Sequence, residues 1–246
     1  MRSLNSAELL QIWEEGLDKS VLHSALLLLS KSCNLPIETV GALSIGERDA
    51  QLLKLREWLF GNKLLNTAHC PNCAECVEWT MTTFDLQLQL PSFLEGKPKV
   101  LEVLSEGYHI RFRLPNSIDI LDMTREKNSA YNSQQLLLHC ILELVDCPKD
   151  ISSANLPHHI LDSIQHKMEI EDPQANISIA LTCPSCNQQW ASVFDILSYL
   201  WIEIDNWAKH ILQEVYILAK AFNWSENDIL NMSIRRRQLY LEMLRI

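Results

Sequence analysis

The chain has 246 residues, of which 47% are hydrophobic and 21% are charged, with 6 glycines and 9 prolines. This composition is that of an ordered globular protein and excludes a low-complexity chain. The formal net charge of −10 opposes long-range attraction to nucleic-acid phosphates. No apolar run approaches the roughly 20 residues that a membrane span needs, and we expect neither a secretory signal nor a disulfide framework for the 8 cysteines.

Helical patterns open the chain. Apolar residues recur at a spacing of three to four positions in Ser6–Leu17 and Val21–Cys33, which predicts two helices. Ser44 and Glu47 have the spacing of a capping box, in which the serine accepts a backbone N–H and the glutamate reaches back. A third helix is therefore expected to begin after Ser44 and to end at Gly61, because glycine readily adopts a left-handed cap.

The middle of the chain changes to the period of two that is typical of strands. Leucines alternate with glutamines in residues 86–90, and apolar residues alternate with polar ones in Tyr108–Leu114. Ile177–Leu181 alternates in the same way and leads directly to Cys183. A strand that feeds a cysteine pair is typical of a zinc ribbon.

Helical spacing predicts the remaining elements, and Ser233 is placed to cap the last of them. The other predicted helices are Ser117–Met123, Ser133–Val145, His158–Met168 and Phe194–Phe222.

These elements predict an α+β fold that is mostly helical, with a small antiparallel zinc-ribbon-like β region built from two distant Cys-x-x-Cys motifs. We expect one compact unit with an N-terminal helical region, a first cysteine motif with strands, a helical insertion, a second strand with its cysteine motif, and a C-terminal helical region. Their predicted bounds are 1–62, 63–116, 117–176, 177–190 and 191–246.

The two cysteine motifs carry the main chemical signal. Cys70-Pro-Asn-Cys73 and Cys183-Pro-Ser-Cys186 each present two thiols across a tight turn, as a tetrahedral zinc ion requires. If both motifs bind one Zn²⁺, protein fills all four positions and none is open for water. The site would then be structural, and it would close a long insertion at its base.

Other interpretations of the cysteines stay open. Cys76 also forms a Cys-x-x-Cys motif with Cys73, so it is a candidate substitute ligand. Pro71 matches Pro184, which favours Cys70 as the partner of Cys73. Buried free thiols and a redox dithiol are the alternatives.

No motif for a catalytic nucleophile, a zinc protease or a phosphate loop occurs, so the sequence predicts no catalytic residue and no enzyme. The C-terminal region instead concentrates candidate contact residues for other proteins. These are Trp224 and the run Arg235, Arg236 and Arg237, which is expected on a solvated helix face that could dock an acidic partner.

Several segments resemble the baseplate hub assembly proteins of T-even-type contractile phage tails, a family also found in phage-like contractile injection systems. The similarity is spread along most of the chain in one order. It lies in SIGERDAQLLKLREWLFG with the following CPNC, IRFRLPNSIDIL, EDPQANISIALTCPSCNQQWASVFDILSYLWIEI and AFNWSENDILNMSIRRRQLYLEML.

The resemblance implies a non-enzymatic assembly factor or structural subunit of a baseplate, with other baseplate or tail proteins as partners. It implies a protein of the cytoplasm, with incorporation into a phage tail or injection particle as a second location. In the family pattern each cysteine motif is followed by glycine, whereas Ala74 and Asn187 stand here. Alanine accepts a left-handed turn less readily than asparagine, so the first motif is expected to be the more strained.

Two other function classes are compatible with the cysteines. The first is a zinc-ribbon module that binds nucleic acid or acts in transcription, against which the acidic charge weighs. The second is a thiol redox enzyme or metallohydrolase, which would need a reactive thiol or an open metal position.

Overall fold

The structure is a computed structural model that describes residues 1–88, 99–125, 133–147, 152 and 155–244. The chain divides into two compact units. One combines Met1–Leu35 with Ile196–Ile246, and the other is Pro36–Asp195. The five-region division expected from the sequence stays a prediction.

The described residues are mostly helical, with small antiparallel sheets, which confirms the predicted α+β class. The helices are α1 (Ser6–Gly16), α2 (Val21–Cys33), α3 (Ile37–Gly41), α4 (Ile45–Phe60), α5 (Thr83–Leu86), α6 (Ser117–Arg125), α7 (Ser133–His139), α8 (His158–Glu171), α9 (Ile196–Phe222), α10 (Glu226–Leu230) and α11 (Ile234–Met243). A short 3-10 turn spans Pro173–Ala175.

Among the described residues, the strands form two hairpins and one three-stranded sheet, all antiparallel. The hairpins are β1–β2 and β6–β7, and the sheet has the order β3-β4-β5. The strands are β1 (Lys63–His69), β2 (Cys76–Thr82), β3 (Val100–Ser105), β4 (Tyr108–Arg113), β5 (Ile141–Asp146), β6 (Ser178–Thr182) and β7 (Gln189–Val193).

In the unit formed by the two chain ends, α1 and α2 pack on the long helix α9. The buried face of α9 is one stripe at helical spacing, which includes Leu200, Ile204 and Ala208. The indole of Trp13 donates a hydrogen bond of 3.0 Å to Asp205 on the same helix. The helices α10 and α11 cover the C-terminal end of α9.

In the unit Pro36–Asp195, an apolar cluster lies between the three-stranded sheet and the helices α7 and α8. Ile110 and Phe112 point from the central strand β4 into this cluster and are fully buried. Ile160 and Ile164 cover them from α8. The alternation predicted for Tyr108–Leu114 is therefore confirmed as a strand with one buried face.

The strand predicted over residues 86–90 is wrong at Leu86, which is the last residue of α5. Asp85 accepts hydrogen bonds from the backbone and side chain of Thr82, and this cap turns the chain into a helix directly after β2. Leu88 lies in irregular structure, and residues 89 and 90 are outside the described residues.

The helix predicted over Ser133–Val145 is also wrong in its second half. Helix α7 ends at His139, and the chain continues as β5, which pairs with β4. Ile141 and Leu144 pack on the apolar cluster from this strand. A short apolar run fits a buried strand as well as a helix, and here the pairing with β4 decides between them.

Candidate metal centre

Each cysteine motif forms the tip of a hairpin. In the first hairpin, His69 at the end of β1 lies opposite Cys76 at the start of β2. In the second, Thr182 lies opposite Gln189 in the same way. The sequence alternation that leads into Cys183 is thus confirmed as the strand β6.

The two tips have the same backbone geometry. The amide of Cys70 donates to the carbonyl of Glu75 at 2.9 Å, and the amide of Ala74 donates to Cys70 at 2.9 Å. At the second tip, Cys183 donates to Gln188 at 2.9 Å and Asn187 donates to Cys183 at 3.0 Å. The residues that follow the motifs are both left-handed, with φ of 60° at Ala74 and 58° at Asn187.

The four thiols meet at one point. The sulfur atoms of Cys70 and Cys186 are 3.6 Å apart, as are those of Cys73 and Cys183. All four sulfurs lie within 4.8 Å of one another. Four sulfurs at about 2.3 Å from a central ion in a tetrahedron would be about 3.8 Å apart, whereas a disulfide needs about 2.05 Å. The arrangement therefore fits a tetrahedral metal ion that prefers thiolate ligands.

The site is closed on one side and open on the other. Cys70 and Cys183 are buried, Cys186 is half-buried and Cys73 is exposed. Cys76 is exposed at the start of β2 and is not a member of the four-thiol group among the described residues. The structure thus brings together the four cysteines predicted from the sequence without the proposed substitute.

Hydrogen bonds change the acidity of the two more accessible thiols. The side chain of Asn72 and the backbone of Gln188 lower the pKa of Cys186 to about 6, because both stabilise the thiolate. A backbone hydrogen bond from Glu75 lowers the pKa of Cys73, but bonds with Cys186 and Cys183 and the loss of hydration outweigh it and raise the pKa to about 12. Without a cation, Cys73 therefore keeps its proton at neutral pH.

The contact between Asn72 and Cys186 was not predicted from the sequence. Asn72 belongs to the first motif and Cys186 to the second, so this bond ties one hairpin to the other. Asparagine is a common turn residue, and nothing in the sequence distinguishes this role from a local turn preference.

Two contacts at the base of the hairpins position the site. The first is at the N-terminus of α4, the helix that leads into β1. The carboxylate of Asp172 accepts a hydrogen bond of 3.0 Å from the amide of Gly46 and a further one from the side chain of Ser44. Asp172 begins the segment that leads into β6, so the N-terminus of α4 holds the entry to the second hairpin.

The second contact is made by Gln174. Its side-chain oxygen accepts a bond of 2.8 Å from the amide of Leu88, and its nitrogen donates to the carbonyl of Leu86 at 3.1 Å. Gln174 is buried, and it joins the exit of the first hairpin to the entry of the second. No sequence signal indicates such long-range bonds, because they depend on the pairing of distant segments.

The contact at Gly46 requires a residue without a side chain. A Cβ atom there would collide with the Asp172 carboxylate and would lie 2.9 Å from the backbone nitrogen of Ala175. We expect Gly46→Ala to reduce the free energy of unfolding by about 2 to 3 kcal/mol, because backbone must move to relieve the overlap. Urea denaturation in the presence of zinc measures this loss.

Lys54→Ala, at a partly exposed position of the same helix, is the control and should change stability by about 0.5 kcal/mol or less. Equal free energies of unfolding for Gly46→Ala and the wild type would show that Gly46 does not lie in close contact with Asp172 and Ala175.

Ala74 gives a second prediction. Alanine in the left-handed region costs about 1 to 2 kcal/mol of folding free energy. Glycine removes this cost, but the larger entropy of glycine in the unfolded chain cancels part of the improvement. We therefore expect Ala74→Gly to raise the free energy of unfolding by about 0.5 to 1 kcal/mol. The matched variant Asn187→Gly should give little or no gain, since asparagine tolerates this conformation. A destabilised Ala74→Gly protein would contradict the strained turn.

Asn72 gives a third prediction. Loss of a hydrogen bond to a metal ligand commonly lowers metal affinity by about 10- to 100-fold, and we expect the lower end for Asn72→Ala. Competition with a chromophoric zinc chelator measures the change. Ser185 holds the equivalent place in the second motif, so Ser185→Ala is the matched control and should retain the affinity. Equal affinities for the two variants would contradict the role of Asn72.

The remaining candidate residues lie in the other unit. Trp224 is half-buried and stacks on Phe222 at a ring distance of 4.5 Å, and Tyr240 lies edge-on to it at 4.8 Å. Arg235 and Arg236 are exposed on α11. Arg237 is 2% exposed, and its guanidinium contacts Glu214 at 3.1 Å. The expectation of a solvated face therefore holds for the first two arginines and is wrong for Arg237.

Comparison with known families assigns the chain. The model of a family described as T4 bacteriophage base plate protein matches residues 4–201, which include both cysteine motifs. The chain belongs to this family. Comparisons of this baseplate protein with curated proteins and with solved structures gave no match. In the described residues, no helix is long and apolar enough to cross a membrane.

Proposed function

We propose that this baseplate protein is a non-enzymatic assembly factor of the baseplate hub, or a structural subunit of the baseplate, in a contractile phage tail or a contractile injection system. The observation that carries the proposal is the family match over residues 4–201. The resemblance of its segments to hub assembly proteins supports the narrower role. Its partners would be other baseplate or tail proteins, met in the cytoplasm and retained in the particle if it is a subunit.

We also propose that the four cysteines hold one structural Zn²⁺. The sulfur separations of 3.6 Å support this, as does a donor set of four thiols with no position left for water. Cys70, Cys73, Cys183 and Cys186 would be the ligands. The metal would join the tips of the two hairpins, whose bases Gln174 already links through its bonds to Leu86 and Leu88.

Deletion of the gene in its native phage or injection system tests the assembly role. We expect particles without baseplates, and restored baseplates when the wild-type gene is supplied in trans. Normal numbers of particles that carry complete baseplates in the deletion strain would overturn the proposal. Quantitative mass spectrometry of purified baseplates then separates the two forms of the role, since a subunit is retained and an assembly factor is not.

Nucleic-acid binding through a zinc ribbon is the alternative function. The net charge of −10 disfavours it. We expect no binding to double-stranded DNA at near-physiological salt, and measurable binding there would revive this alternative.

A further inference from the structure

The outward face of α11 is a basic and apolar surface. Helical geometry places Arg235, Leu239 and Met243 in one row, with Ile234 and Arg236 at its two sides. Ile234, Leu239 and Met243 are 59%, 48% and 60% exposed. We call these five residues the α11 face.

The two arginines of this face have no ion pair among the described residues, although Arg236 lies over the ring of Tyr240 at 6.0 Å. Arg237 differs, because Glu214 neutralises it in the interior. The one acidic residue of α11 is the exposed Glu242, which lies three residues after Leu239 and therefore beside the row of Arg235, Leu239 and Met243. Residues 234–246 contain four arginines and one glutamate, in a chain with a net charge of −10. Basic residues thus outnumber acidic ones in this last segment of the sequence.

The inner side of the same helix is held firmly. Ser233 caps the helix by accepting the amide of Arg236 at 3.3 Å, and Tyr240 packs edge-on against Phe222 and Trp224. A fixed helix that presents arginine, leucine and methionine loses little entropy on binding. Arginine and methionine are also enriched at protein interfaces.

We propose that the α11 face docks an acidic amphipathic segment of another tail protein, in which apolar side chains are flanked by aspartate or glutamate. The flanking carboxylates would pair with Arg235 and Arg236, while the apolar side chains would cover Leu239 and Met243. Pairing of the face with a second copy is disfavoured, since a two-fold contact would bring four arginines into one interface. This inference rests on the proposed function, because it needs tail proteins as partners.

Site-specific photo-crosslinking tests the proposal. Benzoylphenylalanine is placed at Leu239 in the full chain, expressed in a host that carries the complete set of tail genes, and the crosslinked peptides are mapped by mass spectrometry. The matched control site is Gln213, which is exposed on α9. We expect crosslinks from Leu239 to an acidic amphipathic segment and few or none from Gln213.

Reversal of the charges on both partners tests whether the crosslink depends on ion pairs with Arg235 and Arg236. The double variant Arg235→Glu, Arg236→Glu should lower the crosslink yield on the order of tenfold, with an unchanged melting temperature. Lysine replacements of the acids in the mapped segment should restore it. An uncharged or basic segment, a second copy of this chain, or an unchanged yield in the double variant would overturn the proposal.

The outcome also separates this inference from the proposed function. If the protein is recovered with baseplate intermediates but gives no crosslink at Leu239, the α11 face is overturned and the assembly role is retained. If the protein is recovered with no baseplate intermediate and its deletion leaves particles normal, the proposed function is overturned, and the inference with it.

Discussion

Replacement of Cys183 by serine is expected to abolish zinc binding and to destabilise the unit Pro36–Asp195 more than any other single change considered. Cys183 is fully buried, and its sulfur lies 3.6 Å from that of Cys73. Structural zinc contributes apparent binding free energies of about 10 kcal/mol or more where no site exists in the unfolded chain. Here we expect a loss of several kcal/mol, since serine leaves three ligands and the unit has its own apolar cluster.

The response to a metal chelator shows whether Cys183→Ser is destabilised by the loss of metal or by the buried serine itself. The wild type should lose stability when a strong chelator is added, and Cys183→Ser should not respond, because its metal is already absent. Emission spectrometry of purified protein should give about one zinc per chain for the wild type and none for the variant. A destabilised variant that still responds to chelator would contradict the assignment of Cys183 as a ligand.

Cys76→Ser is the matched control for this experiment. Cys76 lies on the same hairpin tip, but it is exposed and outside the four-thiol group. Its variant should retain about one zinc per chain and the stability of the wild type. Loss of zinc in Cys76→Ser would show that this thiol replaces one of the four ligands. Iron in place of zinc would make the purified wild type coloured, since an Fe³⁺ ion with four thiolates absorbs visible light.

Local signals in the sequence were sufficient for most helices and for the four clustered cysteines. The prediction of Val21–Cys33 agrees with α2 at both ends, because a serine caps its start and Asn34 adopts the left-handed conformation at its end. The capping box at Ser44 is confirmed in the same way. The spacing of the cysteines identified two motifs but left Cys76 as an alternative to Cys70. The match of Pro71 with Pro184 favoured the four cysteines that cluster in the structure.

Features that depend on distant residues could not be predicted. The second half of the predicted helix Ser133–Val145 became a strand because β4 offered a partner for its backbone. Asn72, Asp172 and Gln174 position the metal centre through residues that are far away in the chain. Their roles follow from the assembled fold, and no local pattern distinguishes them from ordinary polar residues.

The position of Arg237 also depends on residues that are distant in the sequence, and its replacement is the second change for which we expect a large loss of stability. Three consecutive arginines indicate a solvated basic face, but a helix turns by about 100° at each residue. Position 237 therefore faces inward while 235 faces solvent. The guanidinium of Arg237 contacts Glu214 at 3.1 Å and donates to the carbonyl of Met232 at 2.8 Å. These contacts join α11 to α9 within the unit formed by the chain ends.

We expect Arg237→Glu to reduce the free energy of unfolding of this unit by about 3 to 5 kcal/mol, because it removes the partner of Glu214 and places two carboxylates together in a buried position. Arg235→Glu is the matched control on the same helix. It should change stability by about 0.5 kcal/mol or less, since its side chain is exposed. Urea denaturation followed by tryptophan fluorescence measures both, because Trp224 lies in the aromatic cluster beneath α11.

Because Arg237 is buried and Arg235 and Arg236 are exposed, charge reversal of the three arginines has two separate effects. A reversal of all three arginines would unfold the helix and would weaken partner capture for a trivial reason. Reversal of Arg235 and Arg236 alone changes the charge of the α11 face and leaves the contact with Glu214 intact. If Arg237→Glu were as stable as Arg235→Glu, the buried ion pair would not hold α11 in place, and the α11 face would no longer be a fixed surface for a partner.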